Sequence, residues 1–231
     1  LVATTSNFGA VGAKPSHPKL LDDLAVRFVD SGWSLKWLHR EIVFSAAYQQ
    51  SSHVSDVKVK NDPDNALLSR ANRRRLTIEQ WRDAVLTATG ELDDTIGGPS
   101  FRADDADQRR RTLYSRVSRL ELNKMLALFD FPEPNVHAAR RSETTTPLQK
   151  LFVLNSRFMS RRSEALARRF ENASGNGSGQ AALEEGYLHL YGRSPTDEEA
   201  ELCLAFVNDG GGDWQQLAQI LLAANEMMFI D

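Results

Sequence analysis

The stretch FDFPEPNVHAARRSETTTPLQ, residues 129–149, gathers the side chains of this sequence best suited to hold a ligand. It carries Asp130, Glu133, Asn135, His137, Arg140, Arg141, Glu143 and the threonines Thr144, Thr145 and Thr146. Long connections between helices are uncommon in compact domains, and those that occur are often functional. Three chemistries fit the composition. Arg140 and Arg141 can donate paired bonds to an anion or a sugar, with Thr144 to Thr146 at the start of a helix that favours negative charge. Asp130, Glu133 and Asn135 supply the carboxylate and amide oxygens a hard cation takes, although their spacing matches no calcium loop. In the third reading the arginines tie the loop to carboxylates and helix ends, and Thr146 is a helix cap.

A second polar cluster lies at Arg73, Arg74 and Arg75, followed by Glu79 and Asp83. The two acids are four residues apart and share a helix face, so they could act as an acid/base pair or pair with the nearby arginines. Arg73, Arg74, Glu79, Asn135, Arg140, Arg141, Thr144, Thr145 and Gln149 make up the candidate ligand-binding set. No catalytic residue is assigned. His17, His39, His53, His137 and His189 have no metal-ligand spacing, so no metal is assigned either. The sequence has no G-x-S-x-G, and GAVGAKPS lacks the spacing of a phosphate loop. The basic runs Arg109 to Arg111 and Arg161-Arg162 are interspersed with acids and read as solvated faces. Trp33, Trp37, Trp81 and Trp214 sit in helical patterns as packing residues, and an exposed Trp33 or Trp37 could stack on a sugar ring.

These residues must be positioned by helices. Apolar residues recur at helical spacing in 18–30, and Ser31-Gly32 stops that run. Ser34 caps a second helix, SLKWLHREIVFSAAY. A short helix is expected around Asp64–Asn72. Thr77 with Gln80 signals a capping box for TIEQWRDAVLTATG. TLYSRVS is the one strand candidate, and LNKMLALF is a short helix. Thr146-Pro147 restarts helix in PLQKLFVLNS, and RFMSRRSEALARRFENA follows. After SGNGSGQ come AALEEGYLHLYG, PTDEEAELCLAFVN capped by Thr196, and WQQLAQILLAANEMMF. The fold expected is all-α: an irregular multi-helix bundle with at most one short strand or hairpin, plus a small C-terminal helical subdomain. The division expected is a main body over 1–172, a Gly/Ser linker over 173–179 and the subdomain over 180–231.

The 231 residues carry a net charge of −3, which argues against a general nucleic-acid binder. No run approaches the roughly 18 apolar residues of a membrane span. Cys203 is the sole cysteine, so no internal disulfide or thiolate zinc site is expected, and ELCLAF places it on an apolar helix face. The opening LVATTSNFG, with no initiator Met and no leader, reads as a piece of a longer protein.

Several ordered stretches resemble one family. They are LVATTSNFGAVGAKPSHPKLLDDLAVRFVDSGWSLKWLHREIVFSAAYQQSS, DPDNALLSRANRRRLTIEQWRDAVL, the GGPS turn, FDFPEPN, RRSETTTPLQKLFVLNS, YGRSPTDEE and ILLAANEMMFID. Together they resemble the planctomycete-type domain of unknown function 1553. Members usually carry a further N-terminal portion with an aromatic-rich helix. The resemblance implies the C-terminal end of a large exported or periplasmic protein, behind a companion domain and often a cytochrome c domain. It implies no cofactor in this chain, with haem c in an upstream domain. The implied partners are the upstream domains of the same polypeptide and, through the carbohydrate-binding-like modules of some relatives, carbohydrate. The family offers no established catalytic residues to carry over, and His137 stands where many relatives have a small residue or cysteine.

Two main functions follow. One is a non-catalytic interaction module of an exported, cytochrome-c-associated protein linked to polysaccharide use. The other is a ligand-binding or catalytic domain whose cleft is built from the 129–149 loop and nearby arginines. Docking of an electron-transfer partner is a third. Convergence of Arg140, Arg141, Glu79 and Asn135 on one concave pocket favours the second.

Overall fold

The computed structural model describes every residue except Phe8, Val54, Ser55, 176–178, Asp209, Gly210 and Asp231. The described residues form ten α-helices, two 3-10 turns and one two-stranded sheet. Packing divides the chain into two compact units, Leu1–Arg74 and Arg75–Ile230.

The first unit opens with an irregular arm, closed by Ser16 donating from its backbone N–H to the Leu1 carbonyl at 2.9 Å. Pro18 then starts α1 (Pro18–Asp30), because its fixed φ and missing N–H suit a first helical turn. Gly32, at φ +71°, ends it. Trp33 follows at φ +62°, which is unusual for so bulky a residue. Ser34 caps α2 (Leu35–Val43), accepting from the Trp37 N–H at 3.2 Å. The two helices face each other through Arg27, which pairs with Glu41 and lies 5.2 Å over the Trp37 ring. Neither helix contains a buried residue.

The rest of the first unit corrects the sequence reading. The short helix is α3 (Asp56–Asn61), and 64–72 is a succession of turns. Asp62 and Asn65 explain the shift, since short polar side chains compete with helix for backbone partners. Asp62 accepts from the N–H groups of Ala66 and Leu67 at 2.7 and 2.9 Å. Buried Asn65, at φ +50°, accepts from Ser69 and donates to the Arg70 carbonyl.

The second unit holds the core. Thr77 and Gln80 form the expected capping box of α4 (Ile78–Ala88), which buries Ile78, Trp81, Val85 and Leu86. Short α5 (Lys124–Leu128) is capped by Asn123. Thr146 and Gln149 form a second capping box on α6 (Pro147–Asn155), and α7 (Arg157–Gly175) follows. Then come α8 (Gly179–Tyr191), α9 (Asp197–Asn208) and α10 (Trp214–Leu222). Helix α7 packs most extensively against α10 and α8, so 180–230 shares one apolar cluster with α4, α5 and α7. Of the expected linker 173–179, residues 173–175 continue α7, Gly179 opens α8, and 176–178 lie outside the described residues.

Two further expectations change. The TLYSRVS segment is not a strand: Thr112–Tyr114 is a 3-10 turn, with one isolated bridge from Ser115 to Phe101. Thr112 is held there by Asp83, which accepts from its N–H at 2.8 Å and its hydroxyl at 2.6 Å. The last helix stops at Leu222, and a 3-10 turn at Asn225–Met227 leads into β2 (Phe229–Ile230). That strand pairs with β1 (Arg74–Arg75), beside a 2.8 Å bond from the Leu76 N–H to the Met228 carbonyl.

Candidate functional site

The 129–149 loop begins where α5 stops. Asp130 sits at φ +62°, a conformation aspartate tolerates better than most residues. Its carboxylate accepts from the Thr144 N–H at 2.8 Å and from the Thr144 hydroxyl at 2.8 Å, closing the loop on itself. Arg75 secures this closure. Its guanidinium lies 3.6 Å from Asp130, donates to the Thr144 carbonyl and sits 5.8 Å over the Phe129 ring. Buried Gln149 completes the arrangement. Its side-chain oxygen accepts from the Thr146 N–H at 3.0 Å, and its amide N–H donates to the Leu128 carbonyl at 2.8 Å.

A second clamp joins the loop to the first turn of α4. Arg141 donates both terminal nitrogens to Glu79, at 2.8 and 2.9 Å, and lies 5.1 Å over Phe131. Burial pushes the Glu79 carboxyl upward, but the Arg141 bonds and the helix-start backbone bonds outweigh it, and the net shift is downward. Glu79 and Asp83 share a helix yet serve different partners, Arg141 and Thr112.

These clamps frame two adjoining hollows. The inner one, about 40 Å³, is lined by Arg75, Thr77, Trp81, Phe129, Asp130, Arg141, Ser142 and Glu143, among others. The outer one, about 270 Å³, is lined by Asp130, Phe131, Pro132, Glu133, Val136, Ala138, Arg140, Arg141 and Ser142. Asp130, Arg141 and Ser142 belong to both.

The structure thus gathers Glu79, Arg140, Arg141, Thr144 and Gln149 of the predicted set around one loop. Arg140 is exposed on the outer cleft, and no hydrogen bond or ion pair holds it among the described residues. Thr145 is exposed beside Thr144. Asn135 is tied back to the Arg119 carbonyl at 2.6 Å and to Glu133 at 3.3 Å, and it lines neither hollow. Arg73 and Arg74 belong to the first unit and line neither hollow. Asp130, Glu133 and Asn135 do not converge as cation ligands: Asp130 is occupied by Thr144 and Arg75. No group of three or more His, Cys, Asp or Glu is arranged to hold a metal among the described residues. Half-buried Cys203 has its thiol pKa raised by burial, 3.8 Å from the Tyr187 hydroxyl.

Residue spacing did not reveal the polar core behind the loop at 101–112. Arg162, expected on a solvated face, is 1% exposed. It donates to the Ala106 carbonyl at 3.2 Å, and it lies 3.1 Å from Glu91 as an ion pair outside hydrogen-bond geometry. Arg82 is fully buried and donates to the carbonyls of Arg110 and Gln108, at 2.9 and 2.6 Å. The rings of Phe101 and Phe158 lie 5.2 and 5.3 Å from its guanidinium. The signal available was position: Arg82 falls four residues after Ile78 and four before Leu86, within the apolar stripe of its own helix.

A family model described as PSD1, protein of unknown function (DUF1553), matches residues 1–207. Neither a curated protein nor a solved structure matches the chain. Among the described residues, no helix is long and apolar enough to cross a membrane.

Proposed function

The chain belongs to the DUF1553 family, and we propose that it serves as a protein-interaction module within a larger exported, cytochrome-c-associated protein linked to polysaccharide use. The supporting observation is the surface of α1 and α2. Both helices are amphipathic, yet Leu20, Val29, Trp33, Leu35, Ile42, Val43 and Phe44 are all exposed. Helices stabilise a fold by burying such stripes, and a concentration of exposed apolar side chains marks a contact surface. Covering one of these side chains fully contributes about 1.5–3 kcal/mol. Trp33 is 67% exposed and held at positive φ, and strained residues of this kind cluster at binding sites. The partner in this reading is another domain of the same polypeptide, as the family resemblance implies.

The test is to mix this chain with the separately produced neighbouring domains of its full-length protein and measure association by calorimetry. Association is expected, and the double variant Val29→Asp/Phe44→Asp is expected to weaken it by roughly a hundredfold, the loss of two good apolar anchors. Equal binding by the variant, or no binding by either protein, overturns the reading. The reading as a ligand-binding domain is favoured by a different observation, the two adjoining hollows at the 129–149 loop.

A further inference from the structure

Among the described residues, the indole N–H of Trp81 is a buried donor without a hydrogen-bond partner, and Trp81 itself is 1% exposed. Leaving such a donor unpaired leaves its desolvation uncompensated, so native proteins rarely keep one without a use. Trp81 lines the inner hollow, whose other walls are largely polar: Arg75, Thr77, Asp130, Arg141, Ser142 and Glu143. The inner and outer hollows meet at Asp130, Arg141 and Ser142.

We propose that the two hollows form one binding site for an uncharged ligand, which places a hydroxyl or carbonyl oxygen in the inner hollow to accept the Trp81 indole N–H. The charges select this class. Arg75 already faces Asp130, and Arg141 already holds Glu79 with both terminal nitrogens. In the inner hollow each of these two guanidiniums is paired with its own carboxylate and Glu143 adds a further negative charge to the wall, while the guanidinium of Arg140, unpaired among the described residues, lies on the outer cleft alone. An anion would meet that uncompensated carboxylate. A cation would meet the donating indole N–H. A neutral oxygen satisfies the donor without opposing charge. At about 40 Å³ the inner hollow takes one small polar group, while the rest of the ligand lies in the cleft of about 270 Å³ over Phe131, Pro132 and Val136. This site is independent of the α1–α2 surface, so either reading can fail alone.

The experiment follows the indole N–H signals of the chain by ¹⁵N-resolved NMR. Four tryptophans give four signals, and Trp81→Phe, or sequential assignment where that variant does not fold, identifies the one from Trp81. Glycerol and N-methylacetamide are the neutral probes, and acetate is the charged control. Ligands of so few heavy atoms bind weakly, so dissociation constants in the millimolar range or higher are expected. The expected result is a saturable downfield shift of the Trp81 signal with either neutral probe, and none with acetate. Ser142→Phe fills the shared mouth from an exposed position and is expected to abolish the shift while the other three signals stay in place. No saturable shift, a shift with acetate equal to that with the neutral probes, or an unchanged response in Ser142→Phe overturns the proposal. So does a resident water that stays on the indole N–H at saturating probe.

Discussion

Asp130 and Thr144 are fourteen residues apart, and one carboxylate binds both the backbone N–H and the hydroxyl of the threonine at 2.8 Å. This contact turns the 129–149 segment into a closed loop. It also fixes Arg75, whose side chain is only 8% exposed and faces the same carboxylate.

Removing that carboxylate separates two effects. Asp130→Gly relieves the positive φ, a conformation that costs a non-glycine residue about 1 kcal/mol. It also leaves a largely buried guanidinium and two Thr144 donors without their acceptor. Breaking a buried ion pair on one side costs about 3–5 kcal/mol, and Asp130 is 17% exposed, so the low end applies. The charge loss wins, and Asp130→Gly is expected to destabilise by about 2–3 kcal/mol in urea unfolding. A neutral or stabilising result removes the carboxylate from its role as the loop's clasp.

Helix caps were legible because they are written in adjacent residues. Thr77 with Gln80, Thr146 as a cap, and Pro18 and Pro147 at first helical positions all stand where the sequence placed them. Polar contacts made at long range were not legible. Glu79 to Arg141 spans 62 residues and Arg162 to Ala106 spans 56. A charge run such as Arg161-Arg162 looks uniform in sequence, yet one arginine lies half exposed beside Asp107 and the next is buried. Helical geometry alone turns adjacent residues by about 100°, which is enough to send one inward. The 64–72 turns were missed because Asp62 and Asn65 bond their own backbone more effectively than helix would.

Arg82 gives the second prediction. Burial lowers its pKa to about 10, so it stays charged at neutral pH, held by carbonyls and by aromatic faces. Arg82→Lys keeps the charge but cannot span the carbonyls of Gln108 and Arg110 and the Thr112 hydroxyl with one ammonium. A loss of about 2–4 kcal/mol is expected, the range for a buried charge left partly unsatisfied. The 101–112 loop, which these bonds hold, is expected to become the first site of proteolytic cleavage in Arg82→Lys. Wild-type stability, or cleavage elsewhere, contradicts this role.

Arg193 carries the third prediction, a dependence on pH. It donates to Glu199 at 2.8 Å through each terminal nitrogen and to Glu226 at 2.8 and 2.9 Å, with its guanidinium 5.4 and 5.7 Å from the ring centroids of Tyr187 and Tyr191. This joins the end of α8, the start of α9 and the turn before β2. The Arg193 bonds hold the Glu199 carboxyl down to about 2, well below an ordinary glutamate. The unfolded chain, near 4.3, therefore binds the proton more readily than the folded one. Stability from this contact is fully present above about pH 4.3 and is lost as pH falls toward about 2. Arg193 is 38% exposed and Glu199 34%, so solvent screening reduces the contribution to about 1 kcal/mol. Glu199→Gln is thus expected to unfold at lower urea than wild type near neutral pH, with the gap closing as the acid limit is approached. A gap that stays constant down to that limit would assign the loss to the Thr196 cap, whose N–H donates to Glu199 at 2.8 Å, rather than to the charge.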